Sequence, residues 1–278
     1  QHNHAQGWPY FTEHLVLATP DNGVATAIYA ACKATVKVGD GKEITLHEET
    51  NYPFEEAIAF TVSTGEKVAF PFYLRIPSWT QKAEVRVNGK KVSAAPVAGK
   101  YLCINREWAN GDRVELTLPM SLSMRTWQVN KNSVSVDYGP LTLSLKIAEK
   151  YVEKDSRETA IGDSKWQKGA DSKKWPTTEI YPDSPWNYSL VLDKKEPLKN
   201  FKVIRKSWPA DNYPFTATSV PLEVKAIGRP VPEWKIDETG LCGVLPEEDA
   251  VKGDKEEITL IPMGAARLRI SAFPNTKE

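Results

Sequence analysis

The chain is a succession of short β-rich runs separated by tight turns, with no amphipathic helical stretch between them, and this pattern restricts it to an antiparallel all-β fold. From Gly23 onward the runs VATAIYAACKATVKV, KEITLHEETNYPF, AIAFTVS and VAFPFYLRIP are punctuated by Asp40-Gly41 and Thr64-Gly65. Next come AEVRVNG, KYLCINREW, RVELTLPMSLSMRTW and SVSVDYGPLTLSLKI, with Asn88-Gly89 and Asn110-Gly111-Asp112 as turn signals. Asn and Gly supply the positive φ that short hairpin loops need. Strands at this spacing read as a β-sandwich.

Two regions depart from the pattern. The opening stretch places Trp8, Phe11, Leu15 and Leu17 or Ala18 at helical intervals, with Pro9 near the start and Pro20-Asp21-Asn22-Gly23 as a stop, so a short helix is predicted from about Pro9 to Ala18. From about Ala148 to Lys255 the composition shifts to Pro, Trp, Lys and Asp, with YSLVLD, FKVIRKSW and LEVKAIG as strands of a second β domain. The final run EEITLIPMGAARLRISAFP is again strand-like. The predicted organisation is therefore all-β: a helical lead-in over residues 1–22, a first antiparallel sandwich over 23–147 plus 256–278, and a smaller β domain over 148–255 inserted before the last strands of the first.

At 278 residues the chain exceeds the usual size of one domain. Lys+Arg and Asp+Glu balance at 36 each, so no field of one sign is available to hold nucleic acid or an anionic membrane, and a neutral partner such as a sugar fits better. No run of roughly 18 apolar residues occurs, so no membrane-spanning helix is expected. Cys32, Cys103 and Cys242 are far apart and form no Cys-x-x-Cys or Cys/His cluster, which argues against a zinc knuckle or disulfide framework and for small buried hydrophobes. No phosphate-binding glycine motif and no Gly-x-Ser-x-Gly elbow is present.

The ordered motifs TNYPFE (Thr50 to Glu55), FYLRIPSW (Phe72 to Trp79), VRVNGK (Val85 to Lys90), REWANGDRVELTLPM (Arg106 to Met120), VDYGPLTLSL (Val136 to Leu145) and ITLIPMGAARLRIS (Ile258 to Ser271) closely resemble the C-terminal region of glycoside hydrolase family 127-like proteins. The type activity of that group is β-L-arabinofuranosidase. The resemblance implies an (α/α)6 catalytic barrel followed by two β-sandwiches, the final strands rejoining the first. It also implies a retaining mechanism with a zinc-bound cysteine thiolate as nucleophile and a glutamate as acid/base. The opening QHNHAQGWPYFTEHL resembles the segment just after the family's Cys-Cys pair, with Asn3 at the matching place. Nucleophile, zinc ligands and acid/base would then lie upstream of Gln1, and no catalytic residue, metal ligand or cofactor is assigned within this chain. A bacterial parent acting on plant-type glycans is implied, with a periplasmic or extracellular setting favoured and carbohydrate bound through the barrel.

His2, Asn3, His4 and Trp8 are candidates for the rim of a substrate site by their position in the resemblance. Trp166, Trp175, Trp186 and Trp208 are carbohydrate-stacking candidates, because aromatic faces stack on sugar rings; sandwich core is the competing role. Trp79, Trp108 and Trp127 end strand-like runs and are expected in the core or at corners. Glu48-Glu49, Glu55-Glu56 and Glu247-Glu248-Asp249 do not make the two-carboxylate geometry a glycosidase needs, since neighbours in a strand point to opposite faces, and are read as mostly solvated rims. Two functional readings remain. An accessory region of a hydrolase predicts an exposed apolar docking face and self-association through it; a carbohydrate-binding module predicts exposed, coplanar rings.

Overall fold

The structure is a computed structural model describing residues 2–155, 171, 173–174, 176–247 and 249–278. Its chain divides into two compact units: Gln1–Ser121 with Tyr138–Pro140, and Leu122–Asp137 with Leu141–Glu278. Among the described residues no helix is long and apolar enough to cross a membrane.

The first unit opens with helix α1 (His2–Glu13). Its strands are β1 (Val16–Ala18), β2 (Val24–Thr26), β3 (Cys32–Val38), β4 (Lys42–Thr50), β5 (Ala57–Thr64), β6 (Val68–Arg75), β7 (Glu84–Val87), β8 (Lys90–Lys91), β9 (Tyr101–Trp108) and β10 (Arg113–Thr117). They form a four-stranded sheet, β1-β2-β6-β9, and a six-stranded sheet, β3-β4-β5-β10-β7-β8. Pairing is antiparallel throughout the six-stranded sheet, as predicted, but β2 lies parallel to β6 in the smaller one.

Period-two alternation builds the core. On β6, Val68, Phe70, Phe72 and Leu74 point inward, and on β5 Ile58, Phe60 and Val62 do the same. The rings of Phe60 and Phe72 meet edge-on across the two sheets, 5.3 Å apart. Trp108 is fully buried, stacks 5.6 Å from Phe70, and donates its indole N–H to the Phe70 carbonyl at 2.9 Å. The Asn88-Gly89 hairpin has positive φ at both residues, and Asn88 donates its amide to Asp112 in the neighbouring turn.

The helix starts earlier than predicted and ends earlier, at Glu13. Leu15 is buried and its carbonyl accepts from Ala27 N–H, while Leu17 pairs with Ala25, so sheet pairing captures residues that the helical spacing assigned to α1.

The second unit contains β11 (Leu122–Trp127), β12 (Ser133–Tyr138), β13 (Leu141–Leu145), β14 (Glu149–Lys154), β15 (Thr177–Pro182), β16 (Tyr188–Leu192), β17 (Lys202–Arg205), β18 (Leu222–Pro230), β19 (Glu256–Pro262) and β20 (Asn275–Lys277). One eight-stranded sheet runs β11-β12-β13-β19-β18-β16-β20, with β17 also on β18, and β14-β15 form a separate hairpin. Phe273 bridges Val134 while β20 pairs in parallel with β16, so the end of the chain ties both flanks of this sheet together. Val136, Leu143, Leu190, Val224, Leu260 and Phe273 are central to its core.

The division therefore falls after Ser121, not at residue 147, and the last strands do not rejoin the first sandwich. β19 sits between β13 and β18, so residues 122–147, 148–255 and 256–278 share one sheet. Alternation continues without a compositional break across RVELTLPMSLSMRTW, which is why the boundary inside that run is invisible in the sequence.

Candidate functional surface

The outward side of the four-stranded sheet is set by the inward side. Residues opposite Phe70, Phe72 and Leu74 in the alternation are Pro71, Tyr73 and Arg75, and register places Leu17, Ala25, Tyr73 and Cys103 in one row across the four strands. Tyr101 stands opposite Arg75 and is 48% exposed. A shallow depression of about 510 Å3 is lined by Thr19, Pro20, Asp21, Ala25, Tyr73 and Tyr101. Its polar edge is fixed: Thr19 and Tyr73 both donate hydroxyl hydrogens to the Asp21 carboxylate, the latter at 2.5 Å. Those two bonds hold the Asp21 carboxyl below its usual range, and the same carboxylate raises the Tyr73 phenol.

Helix α1 carries further exposed rings. Trp8, Tyr10 and Phe11 are 57%, 66% and 39% exposed, and Trp8 meets Phe11 edge-on at 5.8 Å. Large apolar side chains gathered in this way mark interaction surfaces more often than free surface. Of the predicted rim residues, His2, Asn3 and His4 fall in the first turn of α1 and Trp8 lies further along it.

The predicted stacking residues are dispersed. Trp166 and Trp175 lie outside the described residues. Trp186 is half-buried and packs edge-to-face on buried Trp234, 5.1 Å away at 67°. Trp208 is half-buried and donates its N–H to Asn212 at 2.7 Å. Tyr213 and Phe215 are exposed but nearly perpendicular, at 70°. Trp79 packs partly buried against the first core, whereas Trp127 is 40% exposed, donating to Ser135 and covered by the Arg125 guanidinium. A core place is thus corrected for Trp127, which stands at the end of β11, a strand that turns its residues largely outward.

Two other expectations are corrected. The cysteines are not buried hydrophobes: all three are free, Cys103 and Cys242 are exposed and Cys32 is half-buried. On β9, Leu102 points inward and Cys103 outward. Glu48 is not a solvated rim residue. It shares the inward face of β4 with Ile44 and Leu46 and is 1% exposed, a placement that the same period-two count would have disclosed.

Glu48 is the chief group that sequence reasoning missed. One carboxyl oxygen accepts the Ala30 N–H at 3.0 Å, and the other accepts the Cys32 thiol at 3.8 Å. Burial pushes the Glu48 carboxyl up to about 8 and the Cys32 thiol up to about 11. A thiol so raised is protonated near neutrality and is a poor nucleophile. Nearby, Tyr29 donates its hydroxyl to the Arg75 carbonyl at 2.5 Å.

On the outer face of the six-stranded sheet, an open trough of about 620 Å3 has Ala57 and Ala59 among its lining residues, with carboxylates and guanidinia beside them. Arg113 lies 3.6 Å from Glu49 and 3.4 Å from Glu115, and Arg86 lies 2.5 Å from Glu84, so its charges are largely self-paired. Among the described residues no three His, Cys, Asp or Glu side chains converge as metal ligands.

Residues 23–120 match the family model described as Beta-L-arabinofuranosidase, GH127 middle domain. No curated protein matches. Among solved structures, a GH127 beta-L-arabinofuranosidase from Geobacillus stearothermophilus T6 aligns with 96% of this chain and 35% of its own, at a TM-score of 0.62 and 20% identity. A GH127 beta-arabinofuranosidase aligns with 93% of this chain and 36% of its own, at 0.59 and 23%. A structure described as a glycoside hydrolase gives 92% and 36%, at 0.57 and 22%. The chain thus spans little more than a third of the length of these structures. In fold it is a partial GH127-like region, and residues 23–120 within it match the GH127 middle domain.

Proposed function

We propose that this chain is a non-catalytic accessory region of a bacterial glycoside hydrolase acting on plant-type glycans, with β-L-arabinofuranosidase-like activity residing in a helical catalytic domain. The observation that carries the reading is the match of residues 23–120 to the GH127 middle domain. Trp8, Phe11, Leu17 and Tyr101 are the exposed apolar residues this reading assigns to docking against that domain. The half-burial of Trp186 and its near-perpendicular packing on Trp234 leave no flat platform of open, coplanar rings there, which favours this role over an autonomous module that stacks a polysaccharide on such a platform.

Sedimentation velocity over a concentration series tests the docking face. The chain is expected to self-associate, and the combined substitutions Trp8→Ser, Phe11→Ser and Tyr101→Ser to return it to monomer with unchanged circular dichroism. A wild-type chain that stays monomeric at high concentration counts against the reading.

A further inference from the structure

The second unit contains a pocket of about 220 Å3 whose lining includes Ile147, Trp186, Leu241, Cys242, Arg267 and Arg269. Arg267 and Arg269 line it, and no Asp or Glu is among its lining residues in the described part of the chain. Its walls are held in place before any ligand arrives. The Asp237 carboxylate caps the turn that carries Leu241, accepting from Thr239 N–H, Thr239 Oγ1 and Leu241 N–H at 2.9, 2.6 and 3.0 Å. Ile236 bridges Cys242 across that turn, and Trp234 donates its indole N–H to Gly243. Arg267 is steadied by the Tyr151 hydroxyl at 2.8 Å and by Glu149 at 3.3 Å, and lies over the Tyr151 ring. Arg269 donates its Nε to the Ala266 carbonyl at 2.8 Å, which fixes the plane of its guanidinium.

We propose that this pocket binds a ring-bearing monocarboxylate, the ring lying against Trp186 and Leu241 and the carboxylate on Arg269, with Arg267 adding a second positive charge. Leu241, 66% exposed, and Ile236, 43% exposed, provide apolar contact that free solvent disfavours. A planar guanidinium held through Nε presents its Nη pair to a carboxylate as a fork, the geometry that gives charge-assisted, bidentate bonds. Glu149 offsets part of the Arg267 charge, so Arg269 is the principal anchor. The volume lies below the roughly 300–1,000 Å3 of sites for drug-sized ligands, which suits the pocket to a single ring. A uronate sugar and an aromatic acid both carry this chemistry. The proposal stands apart from the accessory role, since it concerns the second unit alone and needs no catalytic domain.

Cys242 is a built-in reporter. In a Cys103→Ser background it is the exposed thiol, while Cys32, half-buried and with its thiol pushed up to about 11, reacts slowly. Maleimide labelling of Cys242, read by peptide mass, is to be followed with D-galacturonate, benzoate and D-galactose. Galacturonate or benzoate is expected to slow labelling several-fold and galactose to leave it unchanged; the stronger of the two acids separates the sugar from the aromatic source. Arg269→Ala is expected to weaken protection roughly tenfold or more, and Leu241→Asp, at an exposed position, to abolish it by repulsion while circular dichroism stays unchanged. No protection by either acid, protection by galactose equal to that by the acids, or protection untouched by Arg269→Ala in a folded variant overturns the proposal.

Discussion

The Glu48 carboxyl accepts the backbone N–H of Ala30 at 3.0 Å from a position that is 1% exposed, so one buried acid ties β4 to the segment leading into β3. Burial raises this carboxyl from 4.5 to about 8, which means the folded state holds its proton more tightly than the unfolded chain. Its contribution to stability is present below about pH 4.5 and is lost as pH rises toward 8. Glu48→Gln keeps an acceptor for Ala30 without the titration. The variant is expected to be more stable than wild type above pH 8, by on the order of 2 kcal/mol, and to flatten the decline between pH 5 and 8. Urea melts across that range check it.

Glu223 behaves in the opposite sense. Its carboxyl is nearly buried and faces two lysines, Lys146 at 2.6 Å and Lys206 at 2.5 Å. Burial pushes the carboxyl up, but hydrogen bonds from both ammonium groups outweigh it and hold it below its ordinary value. The stability it gives is present above the ordinary carboxylate range and is lost as pH falls below it. Glu223→Gln is expected to cost about 1 kcal/mol near neutrality and almost nothing at pH 3. Paired chemical melts at the two pH values measure the difference.

Trp108 joins packing and polar satisfaction in the first core. Trp108→Phe removes the donor to the Phe70 carbonyl and part of the ring stacked on Phe70. A loss of about 1–3 kcal/mol is expected, seen as a lower urea midpoint for the first unit.

Gly23 precedes β2 because no side chain fits there. A Cβ at this position would lie 2.3 Å from the Pro71 carbonyl oxygen and 2.5 Å from Pro71 Cγ. Gly23→Ala therefore forces β2 away from β6 and is expected to cost about 1–3 kcal/mol. The midpoint of chemical unfolding should fall while the slope is unchanged.

Much of the fold was legible from alternation. YSLVLD and FKVIRKSW contain β16 and β17, LEVKAIG falls within β18, and Asn88-Gly89 turns the hairpin it predicts. The division of the chain was not legible, because pairing partners such as Leu145 and Leu260 are distant in sequence and the pattern does not change at Ser121. α1 was displaced because Leu17 has both a helical spacing and a strand partner, and tertiary pairing with Ala25 prevails. The outward place of Tyr73 can be read from the alternation on β6, whereas the pocket beside Arg269 depends on the turn carrying Leu241, which no local pattern reveals.

The central proposal, an accessory region of a glycosidase that does no catalysis itself, is tested most directly by turnover of p-nitrophenyl β-L-arabinofuranoside by the isolated chain with zinc and reductant present. No release of p-nitrophenol above the buffer rate is expected at any enzyme concentration. Turnover proportional to the chain, and abolished by a zinc chelator or by loss of one of its carboxylates or thiols, would contradict the account.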